Sequence, residues 1–166
     1  MDIRQALLAG HCKRQVDAIV EYIGDDAARF AELMKIFFAG DYRLTQRAAW
    51  PMNYCAEYHP ELIRPYLPKL LSYLTRKDAH VAARRNIVRL LQYVEIPPRL
   101  AARIYSCCVD LVNDPNEPVA VRVFAVTVAA RIAKGKPALH NELQLIVSQH
   151  LPHATIAFQK RAQAVL

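Results

Sequence analysis

Three observations predict an all-α fold built from paired antiparallel helices. Apolar residues recur at helical spacing along nearly the whole chain of 166 residues. The four glycines and most of the ten prolines fall between those stripes. A basic residue also returns near the start of every second helical segment, at Arg47, Arg84, Arg122 and Lys160/Arg161, at intervals of 37, 38 and 38–39 residues.

The elements follow in order, about ten helices in all. A short first helix over 2–9 stops at Gly10. Val16, Ile19, Val20 and Ile23 mark a helix over 11–23, and Phe30, Leu33, Met34 and Phe37 one over 25–39. Leu44, Ala48, Met52 and Cys55 form the apolar side of a helix over 42–58. Leu67, Leu70, Leu71 and Leu74 mark 61–75, and Ile87, Leu90, Leu91 and Val94 mark 79–95. Ile104, Cys108 and Leu111 do the same for 98–112. Each stripe is the signature of a helix burying one face. The run over 117–134 is rich in β-branched valines, which favour strands. Its length without a turn signal and its helical neighbours predict a buried helix instead. Helices over 138–151 and 153–165 complete the chain. Gly10, Gly24, Gly40 and Gly135 trail helical runs, where a C-terminus takes a left-handed residue. Pro51, Pro65 and Pro68 fall within helical stretches and are expected to kink or shorten them. No linker or low-complexity tract appears, so a single domain over 1–166 is expected.

A period near 38 residues in helix pairs resembles that of HEAT-repeat (armadillo-like) proteins. Pro65-Tyr-Leu-Pro68-Lys-Leu-Leu-Ser-Tyr-Leu looks like the family's proline-bent first helix. Asp41 with Arg47, Asp78 with Arg84 and Asp114 with Arg122 look like its turn aspartate and second-helix arginine. The resemblance implies that these residues bond between neighbouring repeats as a ladder, and Asp78 and Arg84 are expected to pair within the turn region or with the neighbouring repeats, where Arg47 and Arg122 sit. Independently of the name, a helix pair of this size cannot bury both stripes alone. Stacking about five antiparallel pairs gives one continuous core and a right-handed α-solenoid. The second helix of each pair then lines a concave surface.

The net charge of +7 is unevenly spread. Residues 1–40 carry five basic and six acidic side chains, and residues 41–166 carry seventeen and nine. From residue 118 onward six basic residues stand against Glu142 alone. A basic surface favours anionic partners. Cys12, Cys55, Cys107 and Cys108 lie in apolar stretches without a CxxC pair, which suits reduced thiols and a cytoplasmic setting. No apolar run is long enough to span a bilayer, and none near the N-terminus has signal length, so no membrane partner is expected.

The candidate site lies on the second helices. Arg43, Arg47, Trp50, Tyr54 and Tyr58 share one side of 42–58, Arg85 and Arg89 mark 79–95, and Arg131 and Lys134 mark 117–134. Arginine beside aromatic rings suits an acidic protein segment. It suits phosphates and bases equally, and a solvated face with ladder arginines accounts for the same pattern. Trp50 reads either as part of this face or as core beside Pro51. His150 and His153 have no cysteine or carboxylate at metal-ligand spacing and read as a solvated helix end. No GxSxG, P-loop, GxGxxG or HExxH motif is present, and no cofactor or metal is expected. The alkylpurine DNA glycosylases are HEAT-like enzymes with a basic cleft, a carboxylate and several tryptophans. This chain is shorter and has Trp50 alone, with Glu57 two turns away. The sequence therefore leans away from catalysis. It predicts a binding or scaffold module whose concave face holds a protein partner, with nucleic-acid binding as the alternative.

Overall fold

The computed structural model describes residues 1–39, 41–76 and 78–166. Among them the regular structure is helical and no strand occurs. Two compact units are formed, Met1–Glu95 and Ile96–Leu166.

The first unit holds α1 (Ile3–Ala9), α2 (Lys13–Ile23), α3 (Ala27–Phe38) and α4 (Tyr42–Tyr58). A further helix is split into α5 (Pro60–Ile63), a 3-10 turn over Arg64–Tyr66 and α6 (Leu67–Leu74), and α7 (Val81–Leu90) follows. Pro65 sits in that 3-10 turn, so the sequence-predicted helix over 61–75 is broken at the residue that lacks an N–H. Pro51 acts differently, because α4 runs through it without a break. A proline inside a helix costs about 3 kcal/mol. Ala48, Ala49, Met52, Cys55 and Ala56 are buried around it. Burying a side chain of methionine size contributes about 1.5–3 kcal/mol, so the summed burial outweighs the lost hydrogen bond.

Helix starts are set by side chains. Asp2, Asp26 and Asp41 accept the N–H groups of Gln5, Ala28 and Leu44 at 3.0, 2.8 and 2.9 Å. His80 Nδ1 accepts the Ala82 N–H at 3.1 Å. Gly24 and Gly135 have φ of 51° and 75°, the left-handed geometry expected after a helix. Gly10 is extended instead and lies against the Gln15 side chain, which bonds Ala6 O. Gly40 lies outside the described residues.

Core packing in this unit centres on α4, which contacts α1, α2, α3 and α7. Phe30, Leu33, Met34 and Phe37 of α3 are fully buried, as the stripe predicts. The Thr45 hydroxyl, on the buried side of α4, donates to Phe37 O at 2.9 Å and ties down the end of α3.

The second unit holds α8 (Pro98–Asn113), α9 (Val119–Ala133), α10 (Pro137–His150), a 3-10 turn over Leu151–His153 and α11 (Ile156–Ala162). The valine-rich run is the helix α9. It packs against α8, α10 and α11, and Val121, Val123, Ala125, Val126, Val128 and Ala129 are all buried. A helix covered on three sides needs apolar residues all round rather than one stripe.

The aspartate–arginine ladder takes a different form from the one expected. Arg47 donates to Leu7 O and Leu8 O, at 2.8 and 2.9 Å, at the C-terminal end of α1. Arg122 Nε donates to Val112 O of α8 at 3.0 Å, and its guanidinium stacks 4.8 Å over the Phe158 ring of α11. Asp41 caps α4, Asp78 is held by Arg76 at 2.9 Å, and Asp114 accepts from Asn116 at 2.8 Å. The physical reason is local. An aspartate beside a helix start finds orphan N–H groups first, and a long guanidinium reaches the orphan carbonyls of a neighbouring helix end.

Three of the four cysteines are buried, as read from their apolar surroundings, but Cys12 is exposed at the start of α2. Burial pushes the Cys55 thiol up to about 12 and the Cys107 thiol to about 11, and Cys108 rises for the same reason.

Two measurements check this packing. Thr45→Val keeps the shape and leaves Phe37 O short of a donor. It is expected to cost about 1–2 kcal/mol in urea unfolding, and Arg47→Ala about 1 kcal/mol. Stability equal to the parent in both variants would show that the helix-end bonds contribute nothing. In thiol titration with an aromatic disulfide near pH 8, Cys12 alone should react before denaturant is added, with the three buried thiols following on unfolding.

Candidate functional site

In the first unit, α4 turns its polar side toward α1 and α2. Trp50 is half-buried, with its ring edge-on to His11 at 5.1 Å. Tyr54 stacks on Tyr58 at 6.1 Å with the planes 20° apart, and the Lys13 ammonium sits 4.9 Å over the Tyr54 ring. Lys13 also pairs with Asp17 one turn along α2, which raises its pKa and offsets part of its charge. Tyr58 is 60% exposed. Arg43 is exposed a turn before Arg47, and Arg85 and Arg89 are exposed on α7, which packs beside α4.

The nine residues singled out from the sequence therefore have unequal roles. Arg47 is taken up in capping α1, and Trp50 is partly covered by His11. Arg43, Tyr58, Arg85 and Arg89 are exposed, and Tyr54 is half-buried between Lys13 and Tyr58. His11 and Lys13 join this surface although the sequence reading passed over them. Their position, just after Gly10 and at the start of α2, carries no signal until α2 is seen beside α4.

In the second unit, Arg131 and Lys134 line a groove of about 700 Å³ between α10 and α11, floored by α9. Ala130 faces it over the buried Val126 and Ala133, and Lys136, Pro137, His140, Asn141, Arg161 and Ala164 also line it. Arg161 was expected at the ladder position and instead faces this groove. The clustered Lys134-Gly-Lys136 and the scarcity of acids after residue 118 were the sequence signals for it.

His150 is not the solvated helix end expected. It is half-buried, its ring meets Phe158 at 6.3 Å, and its Nε2 lies 3.2 Å from Asn113 Oδ1. Burial, together with the nearby Arg122 charge, lowers its pKa. No helix among the described residues is long and apolar enough to cross a membrane.

A family model described as the HEAT repeat domain matches residues 3–161. The chain belongs to the HEAT-repeat family. Paired helices, second helices packed side by side and arginines bonding across helix ends are how this HEAT-repeat chain meets the pattern read from its 38-residue period. No curated protein and no solved structure matches it. Helical repeats of this kind commonly mediate protein interactions.

Trp50 gives a direct check. A half-covered indole is expected to emit between the buried and fully hydrated limits and to be partly quenched by iodide. His11→Ala should shift the emission to the red and increase quenching. Identical spectra would show that His11 does not cover the ring.

Proposed function

We propose that the chain is a non-catalytic binding module that holds a segment of a protein partner on the polar faces of its second helices. The observation that carries this reading is the exposed Tyr58, stacked on Tyr54 of α4, with Arg43 exposed on the same helix and Arg85 and Arg89 exposed on α7, which packs beside it. Tyrosine offers a large apolar area at low entropic cost, and arginine pairs with carboxylates through two parallel hydrogen bonds. An extended acidic segment matches both groups. Membership of a repeat family that presents extended surfaces to partners supports the same reading.

Nucleic-acid binding is a second reading, favoured by the Tyr54–Tyr58 stack, since bases stack on such rings. Salt dependence separates the two. Several phosphate contacts make affinity fall steeply as salt rises, whereas a short acidic peptide anchored on tyrosine loses less. A labelled extended peptide of alternating glutamate and proline with one tyrosine is expected to bind. Tyr58→Ala and Arg89→Glu should each weaken it by about five- to tenfold, on the scale of one interface contact. Unchanged affinity in both variants would remove this surface from the reading. Tighter binding of an oligothymidylate, with a steep salt slope, would favour the second.

A further inference from the structure

The groove of the second unit has chemistry that the α4–α7 surface lacks. Its accessible apolar surface is made of small side chains, Ala130 of α9, Pro137 at the start of α10 and Ala164 after α11, over the buried Val126 and Ala133. Its rim is cationic, with Lys134 and Lys136 in the α9–α10 connection and Arg161 on α11. No aspartate or glutamate lines it. The one acidic side chain after residue 118, Glu142, lies beside the Tyr105 hydroxyl of α8 instead. α10 and α11 both rest on α9, and the groove lies between them, with the Gln144 side chain of α10 donating to Val165 O at 3.0 Å.

This combination decides the class of ligand. No phenylalanine, tyrosine or tryptophan lines the groove and His140 is its one aromatic ring, so nucleic acid would gain chiefly phosphate contacts at the rim. A small apolar surface with a one-signed rim is instead complementary to an amphipathic helix with an apolar stripe and flanking carboxylates. We propose that this groove docks an acidic amphipathic helix of a partner protein, with its apolar stripe on Ala130, Pro137 and Ala164 and its carboxylates on Lys134, Lys136 and Arg161. The inference rests on the reading of the chain as a protein-binding module, but it uses a different surface and a different peptide conformation.

The test uses the full chain and fluorescence anisotropy. The probe is a labelled peptide of about 16 residues, long enough for marginal helicity, with leucines at i, i+3, i+4, i+7 and i+11 and glutamates beside them. The parent protein should bind it. A scrambled peptide of the same composition and a glutamine-for-glutamate peptide should each bind at least about tenfold more weakly. The exposed double variant Lys134→Glu/Lys136→Glu should lose about tenfold or more, and so should the exposed Ala164→Glu, which places a carboxylate on the groove wall. Tyr58→Ala and Arg89→Glu should leave this peptide's affinity unchanged, so failure of one surface is distinguishable from failure of the other. Equal binding of the scrambled peptide would overturn the proposal. So would unchanged affinity in both groove variants, or an oligothymidylate that displaces the peptide from the parent but not from the double variant.

Discussion

A helix pair of this length leaves an apolar stripe in water unless a neighbour covers it. In each unit one second helix supplies that cover and becomes the element on which the others rest. In the first unit α4 contacts α1, α2, α3 and α7, and in the second α9 contacts α8, α10 and α11. The two helices meet the demand differently. α4 keeps one polar side and so carries Arg47, Trp50 and Tyr54, whereas α9 is apolar around most of its circumference because it is packed from three directions. Removing either helix would expose every stripe packed on it, which is why repeat arrays depend on neighbour interfaces more than on isolated helix stability.

Helix ends are the second constraint. Packing helices side by side brings their last-turn carbonyls near neighbours, where water reaches them less easily. Thr45 answers this for α3, Arg47 for α1 and Arg122 for α8, each by donating to a main-chain oxygen. A cation at a helix C-terminus also complements the dipole there. At Arg47 and Arg122 the recurring basic position is thus explained by geometry at the helix ends, and of the motif's aspartates Asp41 caps its own helix while Asp78 and Asp114 bond within their turns. Arg122 gains a third role by stacking on Phe158, which ties α11 to α9.

These structural duties decide which charged residues are available to a partner. Arg47 and Arg122 are occupied within the fold, while Arg43, Arg85, Arg89, Lys134 and Lys136 are exposed. The excess positive charge is therefore presented in two settings. One is the pair of helices α4 and α7, the first of which carries the stacked tyrosines, and the other rims a groove on α9. A rim charge chiefly steers encounter and sets specificity, and the apolar and aromatic contacts supply most of the holding energy.

Local rules were enough to read the helix positions. The 3.6-residue stripes and the breaks at Gly24 and Gly135 depend on neighbours close in the chain, and the structure follows them within a few residues. The 38-residue period likewise carried the family, because each repeat must bury the same stripe. Partners distant in sequence were not legible. Whether Pro51 breaks α4, where Arg47 reaches 39–40 residues back, and how His11 comes to cover Trp50 depend on which helix lies alongside, and a side chain's own neighbours in the chain do not specify that. The groove on α9 shows the same limit. Its lysines were visible in the sequence, but its apolar floor appears only once α10 and α11 rest on one helix and leave a gap between them, because a concavity is a property of packing and not of any single segment.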